Sequence, residues 1–340
     1  MVDRFTPDFR VEIDGIDRTR NVWEYLESIQ YDDAESGESD SLNLIVANDP
    51  PFTIPRPGAE VKFWLGWKES GLKFFGTFVV DSSSIELNPA KMSISAKSAN
   101  FNSSAKGSKD EKERRDREWE NVTLADIAAK IAAEHGGNSK VEVDVHYPHI
   151  AQTGESNLSF LRRLSAEMGA TFAVKDNTIL IYPPDKGSRP AATLVYSESV
   201  SGSFTAKARE EYSETEAKWW DKREAREKKV SAQRKQKDKW GNSAGSGMAR
   251  NGPGTKHITK KRYHSASEAK TAADNHMILH ERGEFEADLT LPGDPNLVAG
   301  AEITLERFRP ENINGRYLAK TVSHSVTKSG WTTSITLESI

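Results

Sequence analysis

The first hundred residues alternate between short apolar runs and turn signals. Asp14-Gly15 lies between two apolar segments and predicts a β-hairpin. The Pro50-Pro51 pair ends any strand or helix that reaches it. Several short strands at roughly ten-residue spacing are typical of a β-barrel or a β-sandwich. The pattern predicts a first β-barrel domain over residues 1–101.

Residues 102–120 interrupt this pattern with a dense run of charged side chains. A segment of this composition cannot bury enough apolar surface to order itself. Either a mobile linker or an exposed helix would accommodate it, and the composition favours the linker. We therefore predict a charged linker over residues 102–120.

Helical periodicity appears after the charged run. Thr123 is a plausible N-cap, with Asp126 at the third helical position, where a carboxylate meets free backbone N–H groups. Ser156 is the expected cap of a second helix, and Gly169 is its expected left-handed terminator. A hairpin follows the second helix. Residues 121–190 are therefore predicted to form a small inserted α+β domain.

Strand character returns in residues 191–340, which we assign to a second β-barrel domain. A basic and then glycine-rich excursion interrupts it at about 222–254, and we expect part helix and part flexible loop there. Ser265 and Glu268 form a capping box at the start of a short helix over about 266–282. The predicted fold class is α+β, mainly β, with two β-barrel domains, an inserted small α+β domain and this further short helix.

Composition narrows the class of protein. The chain has 340 residues, of which 36% are hydrophobic and 29% charged. No run approaches the roughly 18 apolar residues of a membrane helix, and the start has no signal-peptide core. We therefore expect synthesis in the cytoplasm and no membrane insertion. The absence of cysteine excludes disulfides, thiolate nucleophiles and zinc–thiolate sites.

Charge is distributed unevenly along the chain. The net charge is −4, yet the first sixty residues are strongly acidic, whereas Lys218–Lys239 is basic. Two solvated surfaces are the usual explanation, and complementarity with neighbouring subunits is the other.

The sequence lacks the common motifs of catalysis and cofactor binding. It contains neither the phosphate-binding GxxxxGK[ST] loop nor the dinucleotide fingerprint GxGxxG. His276 and His280, with Glu281 beside them, have the i, i+4 spacing that can bind a metal, but no third ligand is suggested. A solvated helix face is favoured. His324 falls within a predicted strand and is interpreted as a hydrogen-bonded packing residue. We predict no catalytic, cofactor-binding or metal residues and no cofactor.

Two alternatives from other function classes stay open. Paired carboxylates at Glu210, Glu211, Glu214 and Glu216 raise the question of a peptidoglycan hydrolase, although nothing indicates the apolar pocket that a glycosidase acid needs. The basic segment 222–239 could attract nucleic acid through phosphates. A solvated loop or a docking surface for an acidic partner is favoured for this segment.

Three tryptophans flank the basic segment. Trp219 and Trp220 are adjacent in a predicted strand, so one indole lies on each face, and Trp240 follows the segment. We expect one of the adjacent pair in a core and the other at an interface.

Three stretches resemble the phage late control gene D family of baseplate hub proteins. They are listed by their sequence: FFGTFVVD at residues 74–81; QTGESNLSFLRRLSAEMGATFAVKDNTILIY at 152–182; and, in the last eighty residues, YHSASEAKTAADN, LTLPGDPNLVAGAEITL and INGRYLAKTVSHSVTKSGWTTSITLE. The segment NLSFLRRL, followed by Gly169-Ala170, is quite specific to the family. Together the stretches span most of the chain in the order expected for the family.

The resemblance implies a structural role rather than an enzyme. Members look like the hub part of type VI secretion VgrG spike proteins, with two β-barrels and an inserted domain in a homotrimer. Such a trimer would form a ring that adapts the sixfold tail tube to the threefold spike of a contractile tail. The implied partners are the tail tube protein, the central spike protein, the tape-measure protein and other baseplate proteins, with no specific nucleic-acid binding.

The resemblance also implies a location. Assembly would take place in the bacterial host cytoplasm, and the mature location would be a tail baseplate. An infectious phage and a bacteriocin or other injection particle fit the sequence equally. The acidic N-terminal region, including Asp14, Asp32 and Asp40, suggests an acidic lumen that would keep DNA from sticking.

Overall fold

The computed structural model describes residues 6–35, 40–98, 113–175, 177–206, 212–233, 255–283 and 285–340. The protein is α+β and mainly β, which confirms the predicted class. The strands are β1 Pro7–Ile13, β2 Ile16–Asp17, β3 Leu26–Ala34, β4 Ser41–Ala47, β5 Glu60–Trp67, β6 Gly71–Leu87, β7 Ala90–Ser98, β8 Arg115–Thr123, β9 Asn138–Val141, β10 His146–Glu155, β11 Thr171–Lys175, β12 Thr178–Tyr182, β13 Arg189–Val195, β14 Ser201–Ala206, β15 Tyr212–Asp221, β16 Arg226–Gln233, β17 Thr255–Tyr263, β18 Phe285–Pro292, β19 Ala301–Glu306, β20 Gly315–Thr327 and β21 Gly330–Ser339.

Four α-helices lie among the described residues. They are α1 Thr19–Tyr25, α2 Leu124–Glu134, α3 Asn157–Glu167 and α4 Ala266–Glu281, and a short 3-10 helix spans Glu311–Ile313. None of these helices has the combination of length and apolar character that crossing a bilayer requires.

One sheet of 13 strands runs through both β-rich parts of the chain. Its order is β14-β18-β21-β20-β3-β4-β7-β6-β5-β1-β2, and β19 attaches to β20 and carries β13. We call β1–β7 the first β half, and β13, β14 and β18–β21 the second β half. Antiparallel pairing of β3 with β20 joins them, with Ile29 opposite Val326. The two predicted barrels therefore share one sheet, and no ladder among the described strands closes either half on itself.

Each β half has its own apolar core. The first is built from alternating inward residues such as Val11, Leu44 and Phe63, and it also takes in Val326 and Trp331 of the second half. The second contains the inward faces of β18–β21. Successive side chains of a β-strand point to opposite faces, so a strand with one buried face alternates between apolar and polar residues. This is why the strands could be predicted from local sequence.

The remaining elements form a separate α+β unit. It contains the two-stranded ribbon β8–β10, the sheet β11-β12-β9, the sheet β16-β15-β17, and helices α2, α3 and α4. A single core unites them: Leu124 of α2, Leu164 of α3, Ala217 of β15 and Met277 of α4 all belong to it.

The position of α4 and β15–β17 differs from the prediction, which placed residues 212–282 with the second barrel. Ala269, Ala272 and Ala273 are fully buried and let α4 pack closely over the sheet β16-β15-β17. Sequence order favoured the neighbouring β18, but the apolar face of α4 is buried in the α+β unit instead. Chain order alone does not say which core a helix joins.

Two predicted irregular segments contain strands. The end of the predicted linker 102–120 is part of β8, which pairs with β10, while residues 99–112 lie outside the described residues. On β8, Trp119 is buried and the charged residues on either side of it are exposed, so the strand is amphipathic despite its charge. In the excursion 222–254, residues 226–233 form β16 rather than a helix, and 234–254 lie outside the described residues.

The predicted helix ends are confirmed. Thr123 and Asp126 form a complete capping box at α2, Ser156 caps α3, and Ser265 caps α4 by accepting from the backbone N–H of Glu268. Gly169 has a φ of +63°, which only glycine adopts without strain.

The contact of Gly293 with two tryptophans generates a stability prediction. The Trp67 indole donates to the Gly293 carbonyl at 3.1 Å, and the rings of Trp67 and Trp331 lie 4.9 Å apart. A Cβ at Gly293 would lie 2.0 Å from Trp331 Cδ2. We expect Gly293→Ala to lower the free energy of unfolding by about 1–3 kcal/mol in urea titration.

The control is Ser334→Ala, an exposed position on the same strand as Trp331, for which we expect a change of at most about 0.5 kcal/mol. Equal effects of the two substitutions would show that the Gly293 contact is not tight.

Candidate functional site

A buried cluster of charges lies where the two β halves meet the α+β unit. Lys175, the last residue of β11, places its Nζ 2.6 Å from Asp33 Oδ1 and forms a second ion pair with Asp40. The three side chains are 10% exposed or less. Asp33 Oδ2 also accepts from the backbone N–H of Ala299 at 2.9 Å. Lys175 and Asp33 therefore link the first β half, the α+β unit and the second β half.

Burial controls the protonation of this cluster. The pKa of Asp40 is raised from 3.8 to about 7, mainly by desolvation; the Lys175 ammonium opposes this shift and the nearby Asp33 adds to it. Two carboxylates and one ammonium carry an excess negative charge, and a buried excess charge is costly. Protonation of Asp40 as the pH falls through about 7 removes this excess charge.

A second buried ion cluster lies at the end of α4. Arg282 forms an ion pair with Glu35, and its Nε lies 3.0 Å from Glu338 Oε2. Lys320 approaches Glu338 from the other side at 2.7 Å. Burial raises the pKa of Glu35 above its ordinary value. We call this cluster and the Lys175 cluster together the ionic junction.

The junction changes the interpretation of the acidic N-terminal region. Asp40 is buried against Lys175 and cannot line a lumen, contrary to the prediction. Asp32 is half-buried and accepts from the Ser323 hydroxyl at 2.6 Å, so it bridges β3 and β20. Asp14 is exposed, and its carboxylate accepts from the backbone N–H of Glu60 in a turn.

The histidines of α4 were predicted to lie on a solvated face, and this prediction is wrong. His276 and His280 are half-buried and face β17 and β15. The His280 ring lies 4.4 Å from Tyr212 and 4.5 Å from His257, and the His276 ring lies 5.7 Å from His257. Burial lowers the pKa of His257 and of His276. The helix face was misjudged because the sheet that covers it could not be located from sequence.

His324 is a packing residue, as predicted. It is 1% exposed, its Nδ1 accepts from the Thr333 hydroxyl at 3.0 Å, and its Nε2 lies 3.3 Å from the Leu297 carbonyl. Burial lowers its pKa to about 4, so it is neutral near pH 7.

The carboxylates considered for hydrolysis lack the required environment where they are described. Glu214 forms an ion pair with Lys256, whose hydrogen bond lowers the pKa of Glu214, opposite to the shift that a general acid needs. Glu216 lies 2.8 Å from Lys229. Glu210 and Glu211 lie outside the described residues.

The described part of the basic segment is largely neutralised by its own neighbours. Lys228 pairs with Asp221 and Glu224, Arg226 pairs with Glu224, and Lys229 pairs with Glu216. Basic side chains that are already paired with carboxylates attract the phosphates of nucleic acid only weakly. This arrangement disfavours the DNA-binding alternative for residues 222–233.

The adjacent tryptophans lie in different environments, and the expected interface position of one of them stays a prediction. Trp219 packs against the core of the α+β unit, whereas Trp220 is 41% exposed. Trp240 lies outside the described residues.

An open cleft of about 540 Å³ indents the first β half. Its lining is mostly apolar, and Asp14, Arg18 and Arg56 also contribute to it. Ile16 and Ile54, which also line it, are 53% and 44% exposed. A surface of this kind is typical of contacts with other proteins.

Comparisons with known proteins identify the family of this chain. A family model described as phage tail baseplate hub (GPD) matches residues 109–330. The chain belongs to the phage tail baseplate hub (GPD) family. The resemblance stated from the sequence is thereby confirmed.

One curated relative and two solved structures each cover nearly all of this hub chain. A probable baseplate hub protein of Escherichia phage 186 is 26% identical, covering 98% of this chain and 92% of its own length. A tail protein from Neisseria meningitidis has the same fold, with a TM-score of 0.68, 13% identity and coverage of 98% and 96% of the two chains. A type VI secretion component of E. coli has a TM-score of 0.53 and 12% identity over 98% of this chain and 76% of its own.

Sequence reasoning missed the ionic junction. No motif marks it, since its members come from distant positions on strands, turns and a helix end. The available signal was a lysine at the end of an otherwise apolar hairpin, because a lysine beside buried strands needs a carboxylate partner. That signal identifies Lys175 but does not identify Asp33 or Asp40.

The junction predicts an asymmetric response to lysine removal. We expect Lys175→Met to lower the free energy of unfolding by about 3–5 kcal/mol near neutral pH, because it leaves the buried Asp33 carboxylate, and the ionised fraction of Asp40, without a counter-ion. Urea unfolding provides the measurement. Lys140→Met, which removes an exposed ion pair with Glu142 in the same unit, should cost less than about 1 kcal/mol. Similar losses for both variants would contradict the assignment.

Asp40 predicts a specific pH dependence. The folded-state pKa of about 7 lies above the ordinary 3.8, so the contribution of Asp40 to stability is present below about pH 4 and is lost as pH rises through 7. Asp40→Asn keeps the shape of the protonated acid but cannot titrate. Relative to this variant, the wild type should lose more than about 1 kcal/mol between about pH 5 and pH 8. A difference independent of pH in urea titrations would refute the raised pKa.

Proposed function

We propose that this baseplate hub chain assembles as a homotrimeric ring that adapts a sixfold tail tube to a threefold spike. The tail tube protein would contact one side of the ring and the central spike protein the other. The tape-measure protein and further baseplate proteins are the other proposed partners. Assembly in the host cytoplasm, before the hub enters a tail, is part of the same proposal.

The observation that carries the proposal is the pair of β halves in one sheet. Each chain contributes two β units, joined along β3 and β20. Three chains around a threefold axis would present six such units, so a trimer would offer a pseudo-sixfold face to the tube. Cyclic symmetry also closes such an assembly without leaving free contacts.

The ionic junction supports the rigidity that this role requires. An adaptor ring needs a fixed angle between its β units and the α+β unit. Buried ion pairs tolerate only a narrow range of geometries, because separating the charges leaves each one unpaired. The predicted domain boundaries at 101 and 190 enter the proposal, the boundary predicted at 121 moves to the start of β8, and β15–β17 and α4 are assigned to the α+β unit.

A non-enzymatic role is part of the proposal. The described carboxylates of the hydrolase alternative form ion pairs with lysines, as set out above. The direct test is clearing of a purified peptidoglycan suspension by the full chain. Unchanged turbidity is expected, and lysis would favour the hydrolase.

Native mass measurement tests the oligomeric part. We expect the purified chain, alone or mixed with its tube and spike neighbours, to form a species of three 37.8-kDa copies. The reason is that both β halves would find complementary neighbours only in a closed ring. A chain that stays monomeric in every mixture would contradict the proposal, and a stable dimer or hexamer would contradict the threefold symmetry.

A further inference from the structure

The ribbon β8–β10 carries a group of metal-ligating side chains that the hub role does not use. His149 on β10 lies directly opposite Glu120 on β8. Glu118 is two residues before Glu120, so both point to the same face of the strand. One ligand atom from each of the three side chains lies within 4.8 Å of the others.

The ribbon holds these three side chains outward. Trp119, between the two glutamates, is buried and stacks on Phe160 with 6.2 Å between ring centroids. Arg117, on the same inner face, pairs with Glu134 at 2.8 Å. Because the inner face is fixed by these contacts, strand alternation fixes Glu118 and Glu120 on the solvent side.

The electrostatics of this face are unbalanced. Among the described residues, no lysine or arginine forms an ion pair with Glu118 or Glu120, and neither they nor His149 make side-chain hydrogen bonds. The neighbouring carboxylates are occupied: Asp116 accepts from the backbone N–H of Gly154 at 2.8 Å, and Glu134 pairs with two arginines. Two glutamates held side by side repel each other, and a bound cation would remove that repulsion.

We propose that Glu118, Glu120 and His149 bind one divalent transition-metal ion on the solvent face of the β8–β10 ribbon. Two carboxylate oxygens and one imidazole nitrogen form a donor set suited to zinc or manganese. Magnesium and calcium prefer oxygen ligands alone, so the imidazole selects against them. The exposed position leaves further coordination sites for water or for a group from a neighbouring protein.

A metal ion bound at this position would hold the two strands of the ribbon together. Glu118 and Glu120 belong to β8 and His149 belongs to β10, so one ion would connect the two strands of a sheet that no other described strand joins. A two-stranded ribbon is only marginally stable by itself. Metal binding to the folded state would therefore raise the temperature of unfolding.

The test uses the full, untagged chain after chelator treatment. Isothermal titration calorimetry with zinc chloride should show a site that is absent with magnesium chloride at the same concentrations. Loss of a residue that merely orients a ligand typically costs about 10- to 100-fold in metal affinity. We therefore expect His149→Ala and Glu120→Gln each to weaken zinc binding at least about tenfold.

The matched control is His146→Ala, an exposed histidine on the same strand whose imidazole contacts Asn121 instead. It should bind zinc like the wild type. Without metal, His149→Ala should unfold like the wild type, whereas Glu120→Gln should be slightly more stable because it removes the repulsion between the two carboxylates. The proposal is overturned if the wild type binds no zinc, if His149→Ala binds as tightly as the wild type, or if magnesium binds equally well.

Discussion

The ion pairs of the junction are the constraint on which the arrangement of this protein depends. Lys175 satisfies Asp33 and Asp40, and Arg282 satisfies Glu35 and Glu338, all of them buried. An unpaired charge in such a place costs far more than an exposed one, so each partner must stay where the other needs it. The apolar cores hold each part together, whereas the junction determines how the parts are placed relative to each other.

The shared sheet complements this constraint. Pairing of β3 with β20 makes the two β halves one continuous structure, and Asp32 with Ser323 adds a side-chain bridge across that ladder. Asp33, the next residue on β3, turns to the opposite face and reaches Lys175 and the backbone of Ala299. Neighbouring residues of one strand thus join the halves to each other and to the α+β unit.

Sequence predicted what local physics determines. Caps such as Thr123 with Asp126 and the terminator Gly169 depend on residues within one turn, and they were placed correctly. The charged strand β8 was missed because only Trp119 signals its buried face. The group Glu118, Glu120 and His149 was missed for a related reason. Both glutamates lie in the segment that was predicted to be a linker, and only the pairing of β8 with β10 places His149 opposite Glu120.

The path of the chain shows why the junction lies where it does. The chain enters the second β half from β12 and returns to it from α4, so it crosses between the parts near Tyr182 and again at Arg282. Glu35 contacts a residue at each crossing. It forms an ion pair with Arg282, and its Oε1 lies 3.5 Å from the Tyr182 hydroxyl. One buried carboxylate at the end of β3 therefore anchors two separate crossings. A unit assembled from two distant stretches of sequence needs such a common anchor, because neither stretch alone fixes the position of the other.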